Sequence, residues 1–281
     1  MTVDALSVAK LAIYIILVQP TFYLIWKHGR TGILGWLYVN LFCVLRIVTD
    51  AMTLHPNTST ATLILASIGM APLLFACAGI LHEARLARDP SINAKMEWFL
   101  QLQFHTIVIG AVVLVIVGVV KIEGKNITES TLHTSQSLVK AGAGVIVLAF
   151  VVLAVWSLLS MRVRRSTDIP SYRGGSILLH AILATLPFNG IRLVYSVAAL
   201  ILRTTHPTSG FITSTAASVC LSVVPEMLVV IILILGGLRT RHLRETVKTM
   251  AKYSAQPMQT GMQPMPSQYP VQRPQQGQYS S

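Results

Sequence analysis

Four charged side chains lie in stretches whose other residues are mostly apolar. Arg46 and Asp50 stand four residues apart within 42–52, Arg192 lies in a second such stretch, and Glu226 lies in a third. Charges placed in hydrocarbon are costly unless they pair with one another or face a polar cavity. Two interpretations follow from the residue types. The four groups either form a site that binds a charged solute or couples to protons, or form a buried ion cluster that only fixes helix packing.

The four charges are predicted to share one level of the protein. At about 1.5 Å per helical residue, Arg46 and Glu226 lie about 20 Å and about 18 Å from the inner ends of their segments. On the same scale Arg192 and Asp50 lie about 24 Å and about 26 Å from those ends. We therefore predict Arg46–Glu226 and Asp50–Arg192 contacts. A contact between Arg46 and Asp50 within one helix is the competing arrangement.

Three histidines form a second candidate group. His82, His105 and His180 are all predicted near the same end of their helices, and three imidazoles could hold a zinc ion, as in some seven-helix membrane hydrolases. However, no two of them stand three or four residues apart, and no carboxylate is placed with them inside the membrane. We therefore expect a secondary polar cluster between helices, without a metal.

The elements that must position these groups are membrane-spanning helices. The chain has 281 residues, of which 53% are hydrophobic and 11% charged, whereas soluble domains carry about 25% charged residues. A helix needs roughly 20 apolar residues to cross a bilayer, and seven such runs occur within residues 1–238. The sequence predicts an all-α, polytopic, seven-transmembrane helix bundle with spans at about 6–26, 33–54, 61–81, 99–120, 141–161, 176–202 and 213–238.

The distribution of basic residues predicts the orientation. Fifteen Lys and Arg residues fall in the segments 27–32, 82–98, 162–175 and 239–281, and five fall in the segments on the other side. The positive-inside rule therefore places the N-terminus outside and the C-terminus in the cytoplasm. The possible glycosylation sequons at Asn57 and Asn126 agree with this orientation, although such short motifs also arise by chance.

The end of the chain is predicted to lie outside the bundle. Residues 239–253 form a basic juxtamembrane helix, whose segment 239–252 should contact anionic lipids of the inner leaflet. Residues 254–281 are rich in Gln, Pro and Met and carry one charge. A segment of this composition buries too little apolar surface to fold, so we expect a disordered cytoplasmic tail.

Three stretches carry a resemblance to a known family: PTFYLIWKHGRTGILGWLYVNLFCVLRIV, LQFHTIVIGAVVLVIVG and LPFNGIRLVYSVAALI. Over about residues 5–240 the chain resembles an uncharacterised fungal seven-transmembrane family, distantly similar to the RTA-like lipid-translocating exporters. Arg46, His105, Asn189, Arg192 and Tyr195 match the family pattern. The resemblance implies a multi-pass membrane protein and adds Asn189 and Tyr195 to the candidate binding or coupling site.

Several functions are disfavoured by what the spans contain. Span 3 ends in HEARLA rather than Asp-Arg-Tyr, span 7 has no Asn-Pro-x-x-Tyr and no lysine for a retinal Schiff base, and no nucleophile–base pair indicates an enzyme. We expect no cofactor and no nucleic-acid partner. Two hypotheses remain: a transporter or exporter of a small amphipathic or lipid-like solute, and a seven-helix sensor or receptor of non-rhodopsin type. Pro72, Pro187 and Pro225 favour the transporter, because prolines free backbone carbonyls along a central path. The plasma membrane and an endomembrane both remain possible locations.

Overall fold

A computed structural model of the chain describes residues 5–54, 69–89, 91–122, 129–162, 170–205 and 214–246. Helices make up nearly all of these residues, and no strand occurs among them. Seven helices are long and apolar enough to cross a membrane. They are α1 (Ala5–Gly29), α2 (Gly32–Thr53), α3 (Met70–Arg88), α4 (Ala94–Ile122), α5 (Glu129–Arg162), α6 (Pro170–Thr205) and α7 (Thr215–Arg239). The predicted all-α seven-helix architecture is confirmed, and it is that of a multi-pass integral membrane protein.

The turn between α1 and α2 depends on one glycine. Gly29 has φ 63° and ψ −150°, a combination that L-residues with a Cβ rarely adopt. Because the turn is so tight, α2 returns directly alongside α1. His28 at the end of α1 and Trp36 near the start of α2 are thereby brought into contact, with ring centroids 4.8 Å apart.

Helix α3 is the central helix of the bundle. Its most apolar window is 89% buried, whereas the corresponding windows of the other six helices are between 17% and 44% buried. It packs against α1–α2, α4, α5 and α6. The outward faces of the surrounding helices are apolar, as Trp26 (74% exposed), Val194 (71%) and Ile16 (68%) show. An apolar exterior around a buried central helix is the arrangement that a hydrocarbon solvent requires.

The long helices extend beyond the predicted spans. Helix α5 begins at Glu129 and has 34 residues, whereas its predicted span was about 141–161. Ser135 and Val139 of the additional turns are buried and pack against Gly118 of α4. Hydropathy detects only the part of a helix inside hydrocarbon, so polar turns that continue past the bilayer core look like loop in the sequence. Residues 129–140 are helical, so α5 is longer than its predicted span.

Helix α7 contains an irregular turn near its start. An α-helical turn at Thr215–Ser218 is followed by a π-helical turn at Val219–Val223 and then by the α-helix Val224–Arg239. Pro225 follows the π-turn after Val224 and has no N–H to donate to the preceding turn. π-turns within α-helices are frequent at functional sites. The irregularity lies directly before Glu226.

Other predictions about the chain ends stay predictions. After α7 the chain forms turns and one short helical segment up to Thr246. The rest of the predicted juxtamembrane helix, the tail 254–281 and the sequons at Asn57 and Asn126 lie outside the described residues. The orientation of the termini, the membrane that holds the protein and the contact of segment 239–252 with anionic lipids also stay predictions.

The packing of α3 against α2 can be tested at the point where the two helices cross. A Cβ added to Gly79 would lie 2.6 Å from Gly35 Cα and 2.6 Å from Gly35 N, so the two backbones touch. We expect Gly79→Ala to destabilise the folded protein by about 1–3 kcal/mol, because overpacking forces the helices apart. Gly110→Ala is the matched control, because a Cβ at Gly110 meets nothing within 4 Å. Thermal unfolding of both variants in the same detergent should separate them, and equal midpoints would contradict the packing.

Candidate functional site

Three charged side chains from three helices meet in the half of the bundle away from the α1–α2 turn. Arg46 of α2 donates through Nε to Glu226 Oε1 of α7, and Arg192 Nε of α6 lies 3.1 Å from Glu226 Oε2. The Arg192 and Glu226 side chains are 2% and 3% exposed, and that of Arg46 is 14% exposed. We call this group the arginine–glutamate cluster. The predicted Arg46–Glu226 contact is present, and Arg192 shares the same carboxylate.

The guanidinium groups of the two arginines lie beside the backbone of Gly69 and an aromatic ring. A Cβ added to Gly69 would lie 2.8 Å from Arg46 Nη2 and 3.4 Å from Arg192 Nη2. Both guanidinium groups therefore reach the same point beside the start of α3. The Arg46 guanidinium also lies 5.5 Å from the centroid of the Phe42 ring, one turn earlier on α2. Two like charges held this close repel each other by a few kcal/mol even in a partly polar environment.

Acceptors around the two arginines are few. Each guanidinium carries five N–H donors. In the described part of the chain they meet the two Glu226 oxygens and the sulfur of Met70, which lies 3.1 Å from Arg192 Nη1. A thioether is a weak acceptor. Counted over the described residues, the cluster therefore contains more donors and more positive charge than its partners satisfy.

Asp50 does not join Arg192, and that predicted contact was wrong. Asp50 Oδ1 instead accepts a hydrogen bond from Lys10 Nζ at 2.7 Å. Asp50 lies one turn nearer the helix end than Arg46 does, beside the first turns of α1, where the long Lys10 side chain reaches it. The height estimate compared only the charges on α2, α6 and α7, so it did not include Lys10 of α1. The Lys10–Asp50 pair is balanced in charge, and the competing Arg46–Asp50 contact does not form either.

The two α6 residues added by resemblance lie one turn on either side of Arg192. Asn189 is fully buried and donates through Nδ2 to Cys77 Sγ of α3 at 3.5 Å. Its Oδ1 has no hydrogen-bond partner among the described residues. Tyr195 is half-buried. A further buried polar atom, the Tyr14 hydroxyl, also has no partner there, and the Tyr14 ring packs edge-on against Phe42 at 5.9 Å.

The three histidines do not form the predicted cluster. His82 lies at the end of the bundle near the α1–α2 turn, with Nδ1 3.9 Å from Glu97 Oε2. Glu97 Oε1 accepts a hydrogen bond from Arg85 Nη2 at 2.6 Å, and Arg85 Nη1 donates to Ser160 Oγ at 2.9 Å. His82 therefore belongs to a polar network that joins α3, α4 and α5.

His105 and His180 have separate surroundings. The His105 ring stacks on Phe75 at 4.5 Å, and its Nδ1 lies 2.7 Å from the Gln101 carbonyl oxygen. His180 is exposed, with Nδ1 2.6 Å from the Ser176 carbonyl oxygen one turn earlier. Similar heights along three helices do not fix the directions in which side chains point, which is why the grouping failed. Among the described residues there is no group of three or more His, Cys, Asp or Glu side chains that could hold a metal ion.

A buried histidine–glutamate pair was missed by the sequence analysis. His28 Nδ1 lies 2.6 Å from Glu83 Oε1, Trp36 Nε1 donates to Glu83 Oε2 at 3.1 Å, and His28 Nε2 lies 3.1 Å from the Gly237 carbonyl oxygen. A carbonyl oxygen only accepts, so Nε2 carries a hydrogen and the contact with Glu83 holds one further proton. We call His28, Trp36 and Glu83 the histidine–glutamate cluster. Its residues lie at the predicted ends of their spans, where charged side chains usually face water.

A family model of known proteins covers most of this chain. The model for the domain of unknown function DUF7702 matches residues 1–243, which include all seven helices and both clusters. The chain belongs to the DUF7702 family. Among curated proteins and among solved structures, no match is found. Membership of the DUF7702 family assigns no activity, so the resemblance to RTA-like exporters and the fungal origin it implies stay predictions.

Proposed function

We propose that this chain is a transporter or exporter of a small amphipathic or lipid-like solute, which binds at the arginine–glutamate cluster. The observation that carries the proposal is the burial of three charges from three different helices, with two arginines around one carboxylate. Ionisable groups inside a membrane protein mark substrate or ion pathways by default. No catalytic step is part of the proposal.

Two further features support a transporter. The π-turn and Pro225 interrupt α7 directly beside Glu226, and interrupted helices with free backbone groups are typical of transporter binding sites near the middle of the membrane. The arginine–glutamate and histidine–glutamate clusters also lie at two levels of the bundle, separated along α2 by residues that include the buried Val39 and Cys43. The separation of 11 positions between Glu226 and Gly237 corresponds to roughly 16 Å along α7. Polar clusters at two levels are suited to a pathway that opens alternately at each end.

Reconstitution into vesicles tests this function directly. The purified chain is placed in liposomes containing a fluorescent NBD-labelled phosphatidate, phosphatidylcholine or sphingosine, and dithionite is added outside to reduce the accessible label. We expect the protein to speed the loss of label from the inner leaflet for at least one of these lipids, relative to protein-free vesicles. No acceleration with any of them would contradict transport of a lipid-like solute. Saturable binding without translocation would favour the sensor, the alternative that the sequence left open.

A further inference from the structure

We infer that the arginine–glutamate cluster binds an oxyanion, a phosphate or carboxylate group carried on an apolar chain. The inference rests on the proposed function for the apolar part of its ligand and on the geometry of the cluster for the anionic part. The site binds an anionic headgroup and rejects a cationic one.

The charges of the cluster do not balance. Arg46 and Arg192 carry two positive charges, and Glu226 carries one negative charge. The neighbouring Lys10–Asp50 pair is balanced in itself, so adding it leaves the net charge of these five side chains at one positive. An unpaired charge in a low-dielectric interior is strongly unfavourable, so the site as built favours an additional anion.

The N–H donors of the cluster suit a carboxylate, whose oxygens lie in a plane, or a phosphate, whose oxygens form a tetrahedron. Guanidinium groups bind carboxylate and phosphate through pairs of parallel N–H bonds. The Nη2 atoms of Arg46 and Arg192 converge on the point beside Gly69, and Arg192 Nη1 donates to the Met70 sulfur. An oxyanion between the two forks would replace a weak acceptor by strong ones.

The surroundings favour an anion with an apolar chain. Residues two positions from each charge face outward: Val44 (37% exposed) and Val48 (41%) beside Arg46, Val194 (71%) beside Arg192, and Val224 (44%) beside Glu226. In a bilayer these faces contact acyl chains. Two positions correspond to about 200° around a helix, so the arginines point into the bundle. The headgroup of an amphiphile would therefore pass between the helices to reach them, while its chain stays along these apolar faces.

Glu226 takes a specific role in this arrangement. With the site empty, its carboxylate occupies both arginines and keeps them partly neutralised. An incoming oxyanion must compete with that carboxylate, and the carboxylate can return when the ligand leaves. Glu226 is therefore an internal competitor that limits affinity and permits release.

Headgroup-matched amphiphiles test the inference. The full chain, purified in dodecyl maltoside, is equilibrated with radiolabelled laurate, and unlabelled dodecyl phosphate, dodecyltrimethylammonium or inorganic phosphate is added as competitor. Laurate, the two C12 competitors and the detergent share the same chain, so only the headgroup differs. We expect saturable laurate binding that is displaced by dodecyl phosphate and is not displaced by dodecyltrimethylammonium. Displacement by inorganic phosphate at the same concentration would identify a free oxyanion as the ligand, and its failure would identify a headgroup on an apolar chain.

Three variants separate binding from packing. Arg192→Gln should weaken laurate binding at least tenfold, and Arg173→Gln, an exposed arginine at the other end of the same helix, should not change it. Glu226→Gln should tighten binding several-fold, because the internal competitor is removed. Damage to packing alone would weaken binding in Glu226→Gln as well. If Arg192→Gln does not fold, Arg192→Lys retains the charge without the fork and should still weaken binding.

Several outcomes would overturn the inference: laurate binding that does not saturate, equal displacement by the cationic amphiphile, or Glu226→Gln binding no more tightly than the unmodified chain. Because binding is measured without transport, the two proposals fail separately. Saturable anion binding without translocation in vesicles would reject the transporter and retain the site. Translocation without anion binding would reject only the inference drawn here.

Discussion

Vesicles containing Arg46→Ala or Glu226→Ala are expected to lose at least nine-tenths of any lipid translocation that the unmodified chain supports, while both variants still insert in the membrane. The physical reasons differ. Arg46→Ala removes half of the cationic pair that holds an anionic group, whereas Glu226→Ala removes the carboxylate that competes for release. The flux would fall in both variants, and the affinity for laurate would move in opposite directions.

Charge exchange and matched controls distinguish this result from misfolding. Arg173→Ala and Glu129→Ala change exposed residues of the same types and should leave translocation unchanged. If Arg46→Ala and Glu226→Ala merely reduce protein abundance, and the double variant Arg46→Glu with Glu226→Arg restores abundance, then the cluster serves packing alone. Size-exclusion chromatography and thermal unfolding of each purified variant give the comparison. Loss of flux in a variant with an unchanged unfolding midpoint would support the binding role.

The membrane explains why the architecture could be predicted from the sequence. A hydrocarbon core about 30 Å thick requires helices of roughly 20 apolar residues, so run length alone identified seven spans. The same argument could not locate polar turns beyond the core. Helix α5 therefore begins at Glu129 rather than near 141.

Part of the candidate site could be predicted because height along a helix is readable from the sequence. Arg46 and Glu226 were predicted at nearly equal heights, and they form a contact. Asp50 and Arg192 were also placed level, yet Asp50 pairs with Lys10. Height does not specify which helices are neighbours or which face each residue occupies. Those features depend on the packing around α3, which a single sequence does not reveal.

The histidine–glutamate cluster was missed for a related reason. Glu83 and His28 lie at the predicted ends of their spans, and a charged residue at such an end normally faces water. Their burial depends on the positive φ of Gly29, which turns α2 back against α1, and on the end of α7 covering the pair through the Gly237 carbonyl. Contacts between residues 55 and 209 positions apart leave no local pattern.

Glu83→Ala is expected to destabilise the folded protein by about 3–5 kcal/mol, the usual cost of breaking a buried ion pair by removing one partner. The Glu83 carboxylate accepts from Trp36 Nε1 and shares a proton with His28, whose side chain is fully buried. Without it, Trp36 loses its acceptor and His28 retains only the Gly237 carbonyl. The free energy of unfolding in a mild detergent, followed by denaturant titration, gives the measurement.

The matched control is a histidine–glutamate pair whose side chains are exposed. Glu245 lies 3.3 Å from His242 in an i,i+3 pair whose side chains are 67% and 63% exposed, so Glu245→Ala should cost well under 1 kcal/mol. The double variant His28→Ala with Glu83→Ala should cost less than the sum of the two single changes, because each single change already breaks the shared contact. Additive losses would show that His28 and Glu83 do not interact, and the proton between them would have no structural role. A strong coupling would instead show that the buried His28–Glu83 contact helps to hold the ends of α1, α3 and α7 together, at the other level of the bundle from the arginines.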